Sequence, residues 1–301
     1  MQAAIPFPDI SPEIFSISLF GMDFALRWYA LAYIVGIALG YLLARAALAR
    51  PRLWPNDRPP MDRTQLEDLA FWLIIGIVVG GRLAYTLIYR PDYYLAHPLE
   101  IPMLWTGGMS FHGGFAGVCV AAWLWCRSRG VPLGSTADML ALATPPGLML
   151  GRIANFINAE LWGRPTDAPW GIVFPGPYAQ DCPGIEGLCA RHPSQLYEAG
   201  LEGLLLGVIL IVAVWRFGAL KRVWLVTGMF FAGYGMARFF VEFFRVADAQ
   251  FITPVNPAGH VVQLTGTIGF SMGQLLSLPM IAIGAALILI ALRRPAPAPA
   301  A

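Results

Sequence analysis

The sequence predicts an all-α, polytopic integral membrane protein, and three observations predict it. Of 301 residues, 57% are hydrophobic and 13% charged, where a soluble domain carries about a quarter charged, and the mean hydropathy is +0.61. Apolar stretches recur at about the 20 residues that cross a bilayer as helix. The basic residues gather in alternate loops between those stretches. This composition excludes a soluble doubly wound, barrel or DNA-binding domain, and a net charge of +2 leaves no footprint for nucleic acid.

Seven stretches are expected to span, centred on residues 28 to 47, 69 to 89, 112 to 128, 137 to 156, 199 to 216, 223 to 243 and 272 to 292. The fourth is the weakest, because Thr144-Pro145-Pro146-Gly147 breaks it, but membrane helices tolerate such breaks where neighbours satisfy the freed backbone groups. Residues 1–23 carry no Lys or Arg, whereas a cleavable signal requires a basic start, so the first stretch reads as an uncleaved span. The organisation expected is one membrane-embedded domain over 1–292, with the outer loop 157–197 as a small periplasmic head. The Pro- and Ala-rich tail 293–301 reads as disordered and cytoplasmic.

Orientation follows from the tendency of Lys and Arg to stay in the cytoplasm. Lys221 is the one lysine beside nineteen arginines. Arg45, Arg50, Arg52, Arg58 and Arg63, then Arg127 and Arg129, then Arg216, Lys221 and Arg222, then Arg293 and Arg294 fall on one side. Arg90, Arg164, Arg191 and Arg245 fall on the other. The expectation is N-terminus outside, C-terminus inside. Cys119 and Cys126 lie seven residues apart on one helix, about 10.5 Å along its axis and beyond disulfide reach. Cys182 and Cys189 lie in the outer loop with a spacing that can close a small ring, which an oxidising exterior permits.

Ionisable groups inside spans are costly and mark candidate sites. With this topology Arg82, Arg152, Asn155, Arg238 and Glu242 fall in outer halves of spans, with Tyr29 and His112 at outer helix starts, so five helices bring polar groups to one depth. Tyr234, Arg238, Glu242 and Arg245 share one helical face. The densest stretch is Gly151-Arg152-Ile153-Ala154-Asn155-Phe156-Ile157-Asn158-Ala159-Glu160-Leu161-Trp162-Gly163. A second cluster is His192-Pro193-Ser194-Gln195-Leu196-Tyr197-Glu198, and a third is Ser110-Phe111-His112-Gly113-Gly114. Plain alternatives exist for each: an Arg–Glu pair can staple a bundle, and a histidine among glycines can be a helix cap.

At these residues the chain resembles bacterial prolipoprotein diacylglyceryl transferases, whose signature Gly-Arg-x-(Gly/Ala)-Asn-Phe-x-Asn-x-Glu-x-x-Gly is matched from Gly151 to Gly163. The likeness runs from Arg27-Trp28-Tyr29, through the two clusters just quoted, to Arg238-Phe239-x-x-Glu242-Phe243-Phe244-Arg245 and Met272-Gly273-Gln274-Leu275. It departs in the loop 50 to 66, around the cysteines of the outer loop and in the tail.

The resemblance implies an enzyme of lipoprotein biosynthesis in the bacterial cytoplasmic (inner) membrane. Such an enzyme moves the diacylglyceryl group of phosphatidylglycerol to the lipobox cysteine thiol of a prolipoprotein signal peptide and releases glycerol 1-phosphate. It implies Arg152 and Arg238 on the leaving phosphate, and His112 as base for the thiol or as a positioning group. Glu242 would hold Arg238; Asn155, Glu160 and Gly163 would orient the head group; Tyr29 and Tyr234 would offer hydroxyls. The nucleophile belongs to the substrate, so none of the four cysteines need be catalytic. No metal-ligand spacing is present, so no metal or cofactor is expected. A transporter for anionic solutes would also place arginines in the membrane, but along a path through both leaflets and often with internal repeats; a purely structural protein explains neither the shared depth nor the motifs.

Overall fold

The structure is a computed structural model that describes residues 5–19, 22–182, 185, 187–265 and 268–294. Every stretch predicted to span is helical: α1 (Trp28–Leu48), α2 (Arg63–Ala84), α3 (Phe111–Arg129), α4 (Leu133–Ala143) with α5 (Pro145–Ile157), α6 (Ser194–Phe217), α7 (Leu225–Val241) and α8 (Met272–Arg293). Five of these units are long and apolar enough to cross a membrane: α1, α2 with its extension to Tyr89, α4–α5, α6 and α8. Helix α7 is apolar but shorter.

Boundaries differ from expectation where caps decide them. Helix α2 starts six residues early, because Asp62 and Gln65 form a reciprocal capping box that satisfies two orphan N–H groups. Ser271 and Gln274 do the same for α8. The break expected at Thr144 is real: Pro145 and Pro146 lack the N–H groups that would continue α4, and the Thr144 hydroxyl donates to Leu140 O at 2.7 Å. The tail reading needs correction at its start, since Arg293 still belongs to α8; residues 295–301 lie outside the described residues.

The bundle is packed by small residues and coated with large ones. The buried face of α1 is Gly36, Gly40, Ala44 and Ala47, while Ile34, Ile37 and Leu42 point outward. Lipid tails are as apolar as leucine, so helices associate here through close backbone approach. The tightest case joins α2 to α3. A methyl group placed on Gly80 would stand 2.4 Å from Gly113 O, and one on Gly117 2.0 Å from Gly76 O.

Polar staples complete the frame. Asp138 of α4 is fully buried and accepts from Trp224 N (2.6 Å), Thr227 N (2.7 Å) and Thr227 Oγ1 (2.7 Å), so it caps the N-terminus of α7 from another helix. The loops predicted on the inner side meet at one end, with Lys221 Nζ 3.7 Å from Asp57 Oδ1 and Arg222 Nη1 donating to Leu292 O at 3.1 Å.

The other end carries structure that an all-helical reading does not contain. An antiparallel hairpin, Glu13–Leu19 with Met22–Arg27, leads into α1. Ile5–Pro6 pairs in parallel with Ile172–Val173, tying the N-terminal segment to the loop 157–197. Val262–Gln263 pairs with Gly269–Phe270 just before α8. Cys182 and Cys189 are disulfide-linked, and Cys119 and Cys126 are free thiols.

Arg82, one of the intramembrane arginines, is a staple of this end. It is buried, and its guanidinium donates to Ile101 O (2.7 Å), Glu100 O (2.9 Å), Gly108 O (3.2 Å), Gly107 O and Thr106 Oγ1 (3.3 Å), under the Tyr94 ring. Replacing Arg82 with lysine removes the planar fork that reaches these acceptors together. The expected result is a loss on the order of 3 kcal/mol of stability, read as a lower melting temperature of the detergent-purified protein. An unchanged melting temperature would contradict this structural role.

Candidate functional site

The end of α5 turns sharply, and the turn displays Glu160. Ala159 and Leu161 on either side of it adopt φ of 51° and 58°, a region L-residues rarely occupy and one that persists only where surroundings enforce it. Here the enforcement comes from the second sequence cluster. Ser194 Oγ donates to Leu161 O (3.0 Å) and Gln195 Nε2 to Glu160 O (2.5 Å), both side chains fully buried. The Glu160 carboxylate then accepts from Asn155 Nδ2 (2.8 Å) and Asn158 Nδ2 (3.4 Å). Two motifs that read separately in the sequence are one interlocked object.

Beside this turn lies an arginine–glutamate cluster. Glu198, fully buried on α6, sits 3.2 Å from Arg152 Nε of α5 and 2.7 Å from Arg245 Nη1, and also accepts from Arg238 Nη1 of α7. Glu242 binds Arg238 Nη2 and, at 3.1 Å, Arg245 Nε, while its other oxygen accepts from Ser271 Oγ of α8 at 2.7 Å. Gly273 makes room for this carboxylate, since a methyl group there would stand 2.4 Å from Glu242 Cδ. Glu202, also fully buried, is 3.9 Å from Arg152 Nη2. The guanidiniums of Arg152 and Arg238 are not sealed: their side chains keep 21% and 19% of their surface exposed.

Several predicted residues thus come together. Arg152, Arg238 and Glu242 form the cluster with Arg245, and Asn155 and Glu160 form the adjoining turn. Tyr234 of α7 faces Arg152 and Glu202. Tyr29 reaches the same region through Tyr33, whose hydroxyl lies 3.5 Å from that of Tyr29 and within electrostatic range of Arg152 and Glu160. Gly163 is a packing junction: its N–H donates to His192 O at 2.9 Å, and a side chain would strike Phe244 O at 2.4 Å. His112 stands exposed at the start of α3, with its ring against Phe111; among the described residues no hydrogen bond or ion pair joins it to the cluster. Arg164 binds backbone, donating from Nε to Arg245 O at 2.7 Å.

The candidates missed Glu198 and Glu202 as charge partners. The available signal was a pair of carboxylates four residues apart, the second inside an apolar stretch, where an ionisable group marks function. They straddle the start of a π-helical segment, Ala199–Leu205, a distortion found preferentially at functional sites. An apolar groove of about 400 Å³ is lined by Met149, Gly203, Leu39, Leu42, Leu204 and Gly207. Neither that groove nor a larger hollow of about 690 Å³, lined by Phe7, Asp9 and Val173 among others, is lined by a cluster residue. No group of His, Cys, Asp or Glu able to hold a metal ion is found among the described residues.

The loop 157–197 is held by Arg191, which stacks 4.2 Å over Trp162 and donates to Ala179 O (2.5 Å), Asp181 O (2.9 Å) and Gly163 O (3.3 Å). Its neighbour His192 has Nδ1 3.0 Å from the Tyr197 hydroxyl, which itself accepts from Trp170 Nε1 at 2.7 Å.

A bundle of long apolar helices that carries paired, partly exposed arginines on buried carboxylates defines a multi-pass membrane protein with a polar centre. Residues 15–290 match the family described as prolipoprotein diacylglyceryl transferase, and the chain belongs to that family. It is 62% identical to the phosphatidylglycerol–prolipoprotein diacylglyceryl transferase of Ruegeria pomeroyi, covering 94% of this chain and 96% of that one. Similar enzymes of Roseobacter denitrificans and Rhizobium leguminosarum bv. trifolii are 61% and 46% identical over 94% of this chain and 96% and 93% of theirs.

Burial lowers the pKa of His192 from its ordinary value, so the folded head favours neutral imidazole. Stability from this source is fully present above the unfolded value of about 6.5 and is lost as pH falls through the lower folded value. The melting temperature should therefore decline on acidification through that window, and less so in His192→Asn. Parallel curves for the two proteins would refute it.

Proposed function

We propose that the protein transfers the diacylglyceryl group of phosphatidylglycerol to the lipobox cysteine of a prolipoprotein, the first step of lipoprotein maturation. The observation that carries this reading beyond family membership is the meeting of Arg152 and Arg238, from two helices, on one buried carboxylate while both guanidiniums stay partly exposed. Charge-assisted forks held in advance are what a leaving phosphate requires.

In this reading the substrate thiolate attacks the glyceryl carbon that bears the phosphoester. A carbon–sulfur bond forms, the carbon–oxygen bond to phosphate breaks, and glycerol 1-phosphate departs with the electron pair. Arg152 and Arg238 take the growing negative charge. Glu242 and Glu198 fix the two forks from behind, Asn155 and Glu160 with Tyr29 and Tyr234 orient the glycerol, and Gly163 keeps the turn close to α7. His112 takes the thiol proton or holds the lipid. The groove beside Met149 and Gly203 receives acyl chain. The chain would lie in the bacterial inner membrane with seven spans, N-terminus periplasmic and C-terminus cytoplasmic.

Incubation of the purified protein with phosphatidylglycerol and a lipobox peptide, followed by mass spectrometry, should show the peptide heavier by one diacylglyceryl group; no adduct on a folded protein would end the proposal. Arg152→Lys or Arg238→Lys keeps charge but loses the fork, and should cost on the order of 2 to 4 kcal/mol in the transition state, roughly thirty- to a thousand-fold in rate. Unaltered specific activity of either folded variant would contradict the phosphate role. Serine at both Cys182 and Cys189 should leave most of the activity, because the nucleophile comes from the substrate; near-complete inactivation of folded protein would refute that.

A further inference from the structure

Arg152, Arg238 and Arg245 are met by Glu198, Glu202 and Glu242. With all six ionised the cluster carries no net charge. A phosphodiester entering it would then add an uncompensated negative charge at a depth where such a charge is costly. One carboxylate must give way.

The three are not equivalent. Glu198 shares one oxygen between Arg238 and Arg245 and places the other 3.2 Å from Arg152 Nε. Glu242 is bonded through both oxygens, to the arginines and to Ser271. Glu202 is fully buried, yet both its oxygens lack any hydrogen-bond donor among the described residues, and its contact with Arg152 is long at 3.9 Å. The groups that face it are Glu198 on its own helix, Arg152 on α5, Tyr234 and Arg238 on α7, and Arg245 just beyond the end of α7.

We infer that Glu202 is a positioning residue that takes up one proton from solvent when an anionic lipid head group binds, freeing Arg152 to turn its fork from Glu202 to the phosphate. Glu202 holds Arg152 in place while the site is empty and withdraws its charge when the site fills. The inference rests on the phosphatidylglycerol reading above, and it adds a proton to the binding step.

The test uses the full chain and dihexanoylphosphatidylglycerol, a soluble probe whose phosphodiester does not itself titrate near neutrality. Calorimetric titration in buffers of different ionisation enthalpy, between about pH 6 and pH 9, should show uptake approaching one proton per lipid bound in part of that range, with affinity falling up to about tenfold per pH unit above it. In Glu202→Gln, which keeps the shape but cannot ionise, the uptake should vanish and binding should be tighter and insensitive to pH. A purely structural role for Glu202 predicts instead a lower melting temperature with the pH dependence retained.

Wild-type binding without proton uptake anywhere in the range overturns the inference, and needs no variant to fold; so does an unchanged pH slope in Glu202→Gln. Proton-linked binding without any diacylglyceryl adduct on the peptide would sink the transferase reading and leave Glu202 its role. No preference for this lipid over its zwitterionic choline analogue would overturn both.

Discussion

Glu198 has no exposed surface and holds Arg152, Arg238 and Arg245 at once. An isolated carboxylate or guanidinium at this depth would be expensive, and removing one partner of a buried pair leaves an uncompensated charge behind. The ion pairs therefore bind α5, α6 and α7 into one unit, and Glu242 extends it to α8 through the Ser271 hydroxyl. The interactions that make arginines tolerable in the bundle also aim them. Their side chains nevertheless remain about one-fifth exposed, so the contacts that hold them leave part of each arginine open.

The second constraint is backbone strain. Two non-glycine residues with positive φ flank Glu160, and such conformations cost of order 1–3 kcal/mol each unless the surroundings fix them. Ser194 and Gln195 are that fixture, held in turn at the start of α6 and one turn from Glu198. The strained turn, its clamp and the arginine cluster are thus joined by contiguous contacts between α5 and the start of α6.

Much of this was legible in the residues. Apolar runs located the helices because a bilayer demands their length, and the four-residue spacing of Tyr234, Arg238 and Glu242 put them on one face. Glu198 was visible only as part of its motif, and Glu202 not at all, because pairing is a property of three dimensions: nothing in the text Tyr197-Glu198-Ala199-Gly200-Leu201-Glu202 says that Arg152 and Arg238 stand opposite. Arg82 looked like the other membrane arginines, and only its carbonyl partners show it to be a staple. The hairpin before α1 did leave a trace in the alternation Phe15-Ser16-Ile17-Ser18, a strand period outweighed by the surrounding helical signal. His112 shares a motif with the family, but its distance in sequence from the cluster could not report that it stands apart from the ion pairs.

The cap that Asp138 provides to α7 bears on how the chain is put together. Helix α7 is shorter than the five units able to cross a membrane by length and hydropathy, and its first N–H groups find their acceptor on α4 rather than within their own segment. It reaches full hydrogen bonding only in contact with a helix synthesised almost ninety residues earlier. During translation α4 is already laid down when α7 emerges, so this shorter helix is the one whose docking partner waits for it, and the order of synthesis coincides with the order in which backbone groups are satisfied.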